Sequence, residues 1–331
     1  MIEVLATGAL ATVQDLGREG ALRWGVGSAG AMDPLALAAG NLLLGNADDA
    51  AGIELPVLPF RVRFQRDGGF AVTGADVDAR LDGRPLLPWT AQRARAGQEL
   101  LLNLPRRGAT WPASRAYLCL AGGVDVPRLL GSRSTQMRGA FGGFEGRALR
   151  AGDVLVAGAA SAEEFLEGVG LVPPALAMPL LADGLPALRV LPAAEYAAYT
   201  AASRAAFWAE PWKISAQSDR YGYRLQGPPL QPLAPLEMRS HGIVPGVIQV
   251  PPGGQPIVQM RDAQPSGGYP KLGTVIEADL WRLGQAPVGS RVRFVECDWN
   301  GALAALAQVD HWLAEARRWL GLQRGAGGIA P

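Results

Sequence analysis

Histidine is almost missing from this chain. Its 331 residues hold only His241 and His311, and neither lies beside a cysteine or the other histidine at metal-ligand spacing. The usual zinc frameworks are therefore excluded, and no intrinsic metal is expected. Cysteine is as scarce: Cys119 and Cys297 stand far apart, each in a strand-like run, YLCLA and RFVECD. Two such thiols make no disulfide framework and read as buried and free in a reducing, cytoplasmic compartment. Lysine is scarce too, with Lys213 and Lys271 the two lysines among 31 basic residues and the other 29 arginine. Neither charge is in excess: 31 Lys plus Arg face 30 Asp plus Glu, a net charge of +1. Without a basic tract there is no electrostatic case for nucleic acid. No apolar run reaches membrane-spanning length. The first residues, MIEVLATGALATVQDLG, lack the basic start and long apolar core of a signal peptide. No G-x-x-x-x-G-K-[ST] occurs, so no Walker-type phosphate loop is expected, and no G-x-S-x-G elbow points to an α/β-hydrolase.

What is abundant is punctuation: 43 glycines and 26 prolines cut the chain into short pieces. Between them lie alternating or apolar runs such as FRVRF (60–64), RAYLCLAG (115–122), GVIQVP (246–251), PIVQM (256–260) and SRVRFVE (290–296). Alternation of apolar residues with arginine marks half-buried strands. Strands this short and frequent imply a mainly β protein with a few helices, built as barrels or sandwiches. A chain of 331 residues exceeds one ordinary core, so two domains are expected. We place an N-terminal β domain at 1–160, an Ala-, Pro- and Gly-rich linker at 161–187 and a C-terminal β domain at 188–299. Three helices are expected. The first starts at Asp33 as N-cap with Pro34 behind it and ends at Gly45-Asn46. The second spans 193–210, and the third spans 300–322 with a leucine stripe that docks it on the body. His311 lies in this last helix as a partly exposed residue, and the tail 323–331 is expected to be disordered.

Several loops concentrate polar chemistry. Between Gln255 and Lys271 an apolar strand delivers Asp262, Gln264, Ser266, Gly267, Gly268, Tyr269 and Lys271 into one short turn. Two glycines there let the backbone turn sharply or approach a ligand closely. A lysine in that turn stands out in a chain that otherwise uses arginine, because the two cations differ in geometry. Residues 12–34 crowd Gln14, Asp15, Arg18 and Arg23 among glycines. Arginine can clamp a carboxylate or phosphate there, and an Asp15–Arg18 structural pair fits equally. Residues 131–135 set Ser132, Arg133, Ser134 and Thr135 in a loop suited to an anion nest, or to a plain turn. Asp219 and Arg220 read as a buried structural pair or as a site pair. Gln249 sits inside an apolar strand and must satisfy its amide from the backbone or a ligand. Ser240 and His241 are adjacent and point apart along a strand, so they are no nucleophile pair.

Taken in order, these segments carry a resemblance. T-V-Q-D-L-G-R, G-A-M-D-P, T-G-A-D (73–76), A-G-G-V-D (121–125), G-S-R-S-T (131–135), Q-S-D-R-x-G-Y-R-L-x-G-P (217–228), G-V-I-Q-V-P-P-x-G-Q-P-I-V (246–258) and G-G-Y-P-K resemble the KipA-like family. That family comprises the C-subunit of the bacterial ATP-dependent 5-oxoprolinase and is similar to part of the carboxyltransferase region of urea carboxylase. The resemblance covers residues 2–296. It implies two cyclophilin-like β-barrel domains and partnership with A- and B-subunits, the latter KipI-like. It implies hydrolysis of 5-oxo-L-proline to L-glutamate with ATP, expected to arrive with Mg2+ and to be bound in the complex, the isolated chain being inactive. Lys271, Gln264, Tyr269 and Asp262 become the catalytic candidates. Arg18, Asp15, Arg133, Ser134, Asp219, Arg220, Gln249, Ser266, Gly267 and Gly268 become the candidates for binding substrate or nucleotide. The family pattern D-x-Q-T-T-G-G-Y-P is here Asp262-Ala263-Gln264-Pro265-Ser266-Gly267-Gly268-Tyr269-Pro270, so Pro265 removes a hydroxyl and an N–H. Two other readings accompany this one. A carboxyltransferase half-site would receive biotin from another protein, since no A-M-K-M-type lysine is present. A non-catalytic partner of a KipI-like kinase inhibitor would need an interface and no polar pocket.

Overall fold

Alternation decides the strands. In the computed structural model, which describes residues 1–105, 113–160 and 165–327, Phe60–Phe64 buries Phe60, Val62 and Phe64 and turns Arg61 and Arg63 outward. On the neighbouring strand Glu99 accepts a 2.7 Å bond from Arg63. The same rule buries Val292 and Phe294 in Arg291–Glu296 and exposes Arg291.

The chain divides into two compact units. One takes residues 1–19, 29–177 and those from 311 on; the other takes 20–28 and 178–310. The division falls inside the stretch expected as a linker, of which 161–164 lie outside the described residues. That stretch also carries its own structure. Leu181–Ala182 pairs with the start of Leu185–Pro192, joined by Asp183 and Gly184 with φ of 50° and 74°. Two successive positive φ values make the hairpin turn that Asp-Gly favours. Asp82-Gly83 repeats the device in the first unit, between Arg80–Leu81 and Arg84–Pro85.

The first unit holds its strands in a six-stranded and a five-stranded antiparallel sheet. Ile2, Phe60 and Leu100 from one sheet and Val13, Phe70 and Leu118 from the other share a single core. On the other face of the five-stranded sheet, in a second cluster with Ala71, Tyr117 and Cys119, lies the helix Pro34–Leu43, started as expected by Asp33, whose carboxylate accepts the Ala36 N–H at 3.0 Å. Its end is also as expected, with Gly45 at φ 70°.

In the second unit a sheet closes on itself. Leu185–Pro192 pairs antiparallel with Lys271–Val275 on one side and parallel with Arg291–Glu296 on the other. The result is a closed barrel of seven strands. Closure removes both sheet edges, so no strand of the ring is left with unpaired backbone groups on one side.

Several expectations need correction. The single helix over 193–210 is two elements, a 3-10 turn at Ala194–Ala198 and an α-helix at Ala201–Ala209. Thr200 breaks it: its hydroxyl accepts the Ser203 N–H at 3.1 Å and caps the second helix. A further helix, absent from the sequence expectations, spans Glu277–Gln285. Its charges suggest a surface segment, yet Asp279 is fully buried between Arg189 at 2.7 Å and Arg282 at 3.0 Å. The last helix runs Trp299–Gly327, beyond the expected end at 322 and into the tail expected to be disordered. Arg324 ties that extension down by donating to the Leu42 carbonyl at 2.8 Å. Leu320 and Ala316 pack into the cluster around Leu37 and Leu43, with Leu313 beside them, while Leu303 and Leu306, earlier in the expected leucine stripe, are exposed. Residues 328–331 lie outside the described residues. Cys119 is buried, but Cys297 is only half-buried, because it stands where the chain leaves the barrel for this helix. Among the described residues no helix is long and apolar enough to cross a membrane.

Candidate functional site

In the first unit the loop that reads as an anion nest is already filled. Strand Thr12–Gln14 ends at Asp15, which is buried. Its carboxylate accepts from Ser132 Oγ at 2.6 Å, from Gly17 N at 2.8 Å, and from Ser134 Oγ and the Arg133 N–H. Ser134 Oγ in turn accepts the Asp15 N–H at 2.9 Å. Four donors converging on one carboxylate satisfy it without a cation. Arg18 is buried beside them, donating to the Ser134 carbonyl and lying 4.8 Å from the centre of the Phe141 ring. A Cβ at Gly142 would meet that guanidinium, which is why glycine stands there with φ of 69°. Arg133 donates to the Val126 carbonyl at 2.9 Å and lies 3.8 Å from Asp125. Asp15, Arg18, Arg133 and Ser134 are thus brought together, but as an internal lock between segments far apart in sequence.

In the second unit the polar turn is built on the barrel. At its base Asp262 and Arg220 form a buried bidentate pair, at 2.9 and 2.8 Å. The Asp262 N–H also donates to the Arg220 carbonyl at 2.8 Å, fixing the same two residues through the backbone. Arg220 therefore pairs with Asp262 and not with its neighbour. Asp219 instead closes its own turn, accepting the N–H groups of Tyr221 at 2.8 Å and Gly222 at 3.1 Å. Gln264 and Ser266 are exposed.

Past this base the turn folds back. Ser266–Gly267 pairs with His241–Gly242, which sets Gly267 opposite His241. Lys271 opens the next barrel strand and stands opposite Gln249. Gln249 is 2% exposed and its amide is satisfied internally. Its Oε1 accepts from Gln259 at 3.1 Å and its Nε2 donates to the Tyr269 carbonyl at 3.4 Å. Tyr269 itself is 48% exposed. A pocket of about 590 Å³ opens beside it, lined mainly by apolar groups including Tyr199, Leu230, Met238, Val250 and Pro270.

The ammonium of Lys271 sits between two groups not among the candidates read from the sequence. Glu195 Oε1 lies 3.4 Å away, and His241 Nε2 is in hydrogen-bond contact. Sequence adjacency excludes His241 only as a partner of Ser240. Its rarity, the signal that singles out Lys271, marks it equally. Glu195 is hidden inside an alanine-rich stretch. Lys271, Gln249, Tyr269, Gly267 and Gly268 thus gather with His241 and Glu195 around one turn. The turn presents a fixed cation at Lys271 and, two residues earlier, an exposed phenol that lines the apolar pocket. Among the described residues no group of three or more His, Cys, Asp and Glu is placed to hold a metal ion.

The chain has relatives. The family model described as carboxyltransferase domain, subdomain A and B, matches residues 24–296. The 5-oxoprolinase C-subunit of Escherichia coli (strain K12) is 43% identical over 307 residues, covering 92% of this chain and 94% of that protein. Its namesake in Haemophilus influenzae is 41% identical over 318 residues, covering 96% of this chain and 98% of that one. Among solved structures, the K. lactis urea amidolyase superposes with a TM-score of 0.83 at 27% identity. That match covers 94% of this chain and spans 20% of the larger protein.

Proposed function

The chain belongs to the carboxyltransferase domain A and B family, and from that premise we propose that it is the C-subunit of an ATP-dependent 5-oxoprolinase. The observation that carries this reading is near-complete coverage of two C-subunit proteins at above 40% identity. Urea amidolyase, by contrast, matches only as one segment of a much larger chain.

The substrate, 5-oxoproline, carries a carboxylate and an unstrained lactam. Opening the ring at neutral pH needs ATP to make the carbonyl oxygen a leaving group, and such transfer is mostly positioning and charge stabilisation. In this reading Lys271 supplies a point charge to the carboxylate or to an oxygen that gains charge as the ring opens. Tyr269 and the pocket beside it hold the ring. Gln249, spent on Gln259 and the Tyr269 carbonyl, shapes the turn instead of touching substrate. Asp262 and Arg220 anchor the turn's base.

The described residues do not fit a resident nucleotide–magnesium site. Arg18, Arg133 and Arg220, the expected phosphate ligands, face the Ser134 carbonyl, the Val126 carbonyl and Asp262. Among the described residues no acidic cluster stands ready for a cation. We therefore assign ATP binding to the partners, the A- and B-subunits, the latter KipI-like, in the cytoplasm. The structural match to urea amidolyase keeps carboxyl transfer as the second reading, with biotin delivered by another protein.

The test is reconstitution. Co-expressed with its cognate A- and B-subunits, the chain should support release of glutamate and ADP from 5-oxoproline plus ATP, lost when any one of the three is omitted. An intact complex that turns over urea with a biotinylated carrier, and not 5-oxoproline, would establish the second reading.

A further inference from the structure

His241 Nδ1 lies 2.9 Å from the carbonyl oxygen of Arg239. A carbonyl only accepts, so Nδ1 carries the proton and Nε2 presents a lone pair. That lone pair faces Lys271 Nζ, which is therefore the donor. An ammonium has three N–H groups. One goes to His241 and one lies toward Glu195 Oε1 at 3.4 Å, and the third has no partner among the described residues. Two fixed acceptors set where the third points. Each of the three groups sits in regular structure. His241 is held by its pairing with Gly267, Lys271 by its place in the barrel opposite Gln249, and Glu195 by the 3-10 turn Ala194–Ala198.

We infer that His241 is the positioning residue for Lys271 and that its protonation switches the orientation of the ammonium. This deepens the reading in which Lys271 meets the substrate. When Nε2 takes a proton it stops accepting and becomes a second cation in contact with Lys271. The charged group facing the pair is Glu195, from the 3-10 turn. Glu195 then draws both cations, and the third N–H loses its fixed direction.

The scarcity of lysine makes the inference testable on the full chain without any activity. Protein labelled with 13C-lysine gives side-chain signals from Lys213 and Lys271 alone. On a pH titration the Lys271 Cε signal should pass through a single inflection that the Lys213 signal does not show. In His241→Gln, where an amide oxygen accepts in place of Nε2 and does not titrate, the inflection should vanish. A flat Lys271 signal in the unmodified protein overturns the inference, and so does an inflection that survives in His241→Gln. The second readout is the assembled enzyme. His241→Leu should lower 5-oxoproline-dependent turnover at least about ten-fold, and His241→Gln should recover most of it and flatten the acid limb of the pH profile. Equal loss in both variants would reduce His241 to a packing residue. An unmodified complex that shows the lysine inflection but no 5-oxoproline turnover would overturn the functional reading and leave the coupled pair standing.

Discussion

Gly267 and Gln249 occupy one space: a Cβ at position 267 would lie 2.6 Å from Gln249 Nε2. The amide cannot simply swing away, because it is buried and bonded to Gln259 and to the Tyr269 carbonyl. Gly267→Ala should therefore destabilise the barrel by about 1–3 kcal/mol, as overpacking does. Gln249→Ala in the same chain should relieve most of that cost. Melting temperatures of the two single variants and the double variant check this, since a shared contact makes their effects non-additive. Additive losses would mean that the glycine serves the backbone alone.

The buried pair of Arg220 and Asp262 sets a second expectation. Asp262→Asn leaves a guanidinium inside the protein short of its counter-charge, which typically costs roughly 3–5 kcal/mol. Asp219→Ala removes only a turn closure on an exposed segment and should cost about 1 kcal/mol. Denaturation midpoints of the two variants should rank in that order. The reverse ranking would show that Asp219, the nearer in sequence, is the true partner.

The thiols should behave differently. Burial pushes the Cys119 thiol up to about 12, whereas Cys297 is half-buried at the end of the barrel strand. Alkylation of the folded protein at pH 8 should mark Cys297 and spare Cys119, as peptide mass spectrometry would show. Burial, with the nearby Glu54 carboxylate adding to it, also raises the Tyr117 phenol well above its usual 10.0. Both groups hold their protons more tightly when folded. Their contribution to stability is present below the ordinary values of 9.0 and 10.0 and is lost as pH rises through the folded values. The melting temperature should fall from about pH 9 upward, and Cys119→Ser should change that dependence more than Cys297→Ser.

Much of the fold is legible in the residues because it follows local rules. FRVRF alternates and is a half-buried strand; Asp33 before Pro34 caps a helix. What stays hidden depends on partners distant in sequence. The Gly-Ser-Arg-Ser-Thr loop has the chemistry of an anion nest, and nothing local says that its anion is Asp15, more than a hundred residues away. The helix Glu277–Gln285 looks like surface until Arg189 is seen to pair with Asp279. The Asp183-Gly184 hairpin carries a strong turn signal, which the surrounding proline and alanine obscure. For the site, rarity singles out Lys271 as the cation of the turn. His241 is just as rare, but its role rests on a neighbour in space, Lys271, and its neighbour in sequence, Ser240, carries no hint of it.

Whether Lys271 carries the chemistry is decided by the turnover of the reconstituted complex carrying Lys271→Met. Loss of the point charge should lower 5-oxoproline-dependent ADP release by about 10²–10³-fold, with the melting temperature and the assembly of the complex retained. Lys271→Arg should not restore it, since a planar guanidinium cannot occupy the contact between Glu195 and His241 in the same way. Near-normal turnover in Lys271→Met would remove this turn from the chemistry.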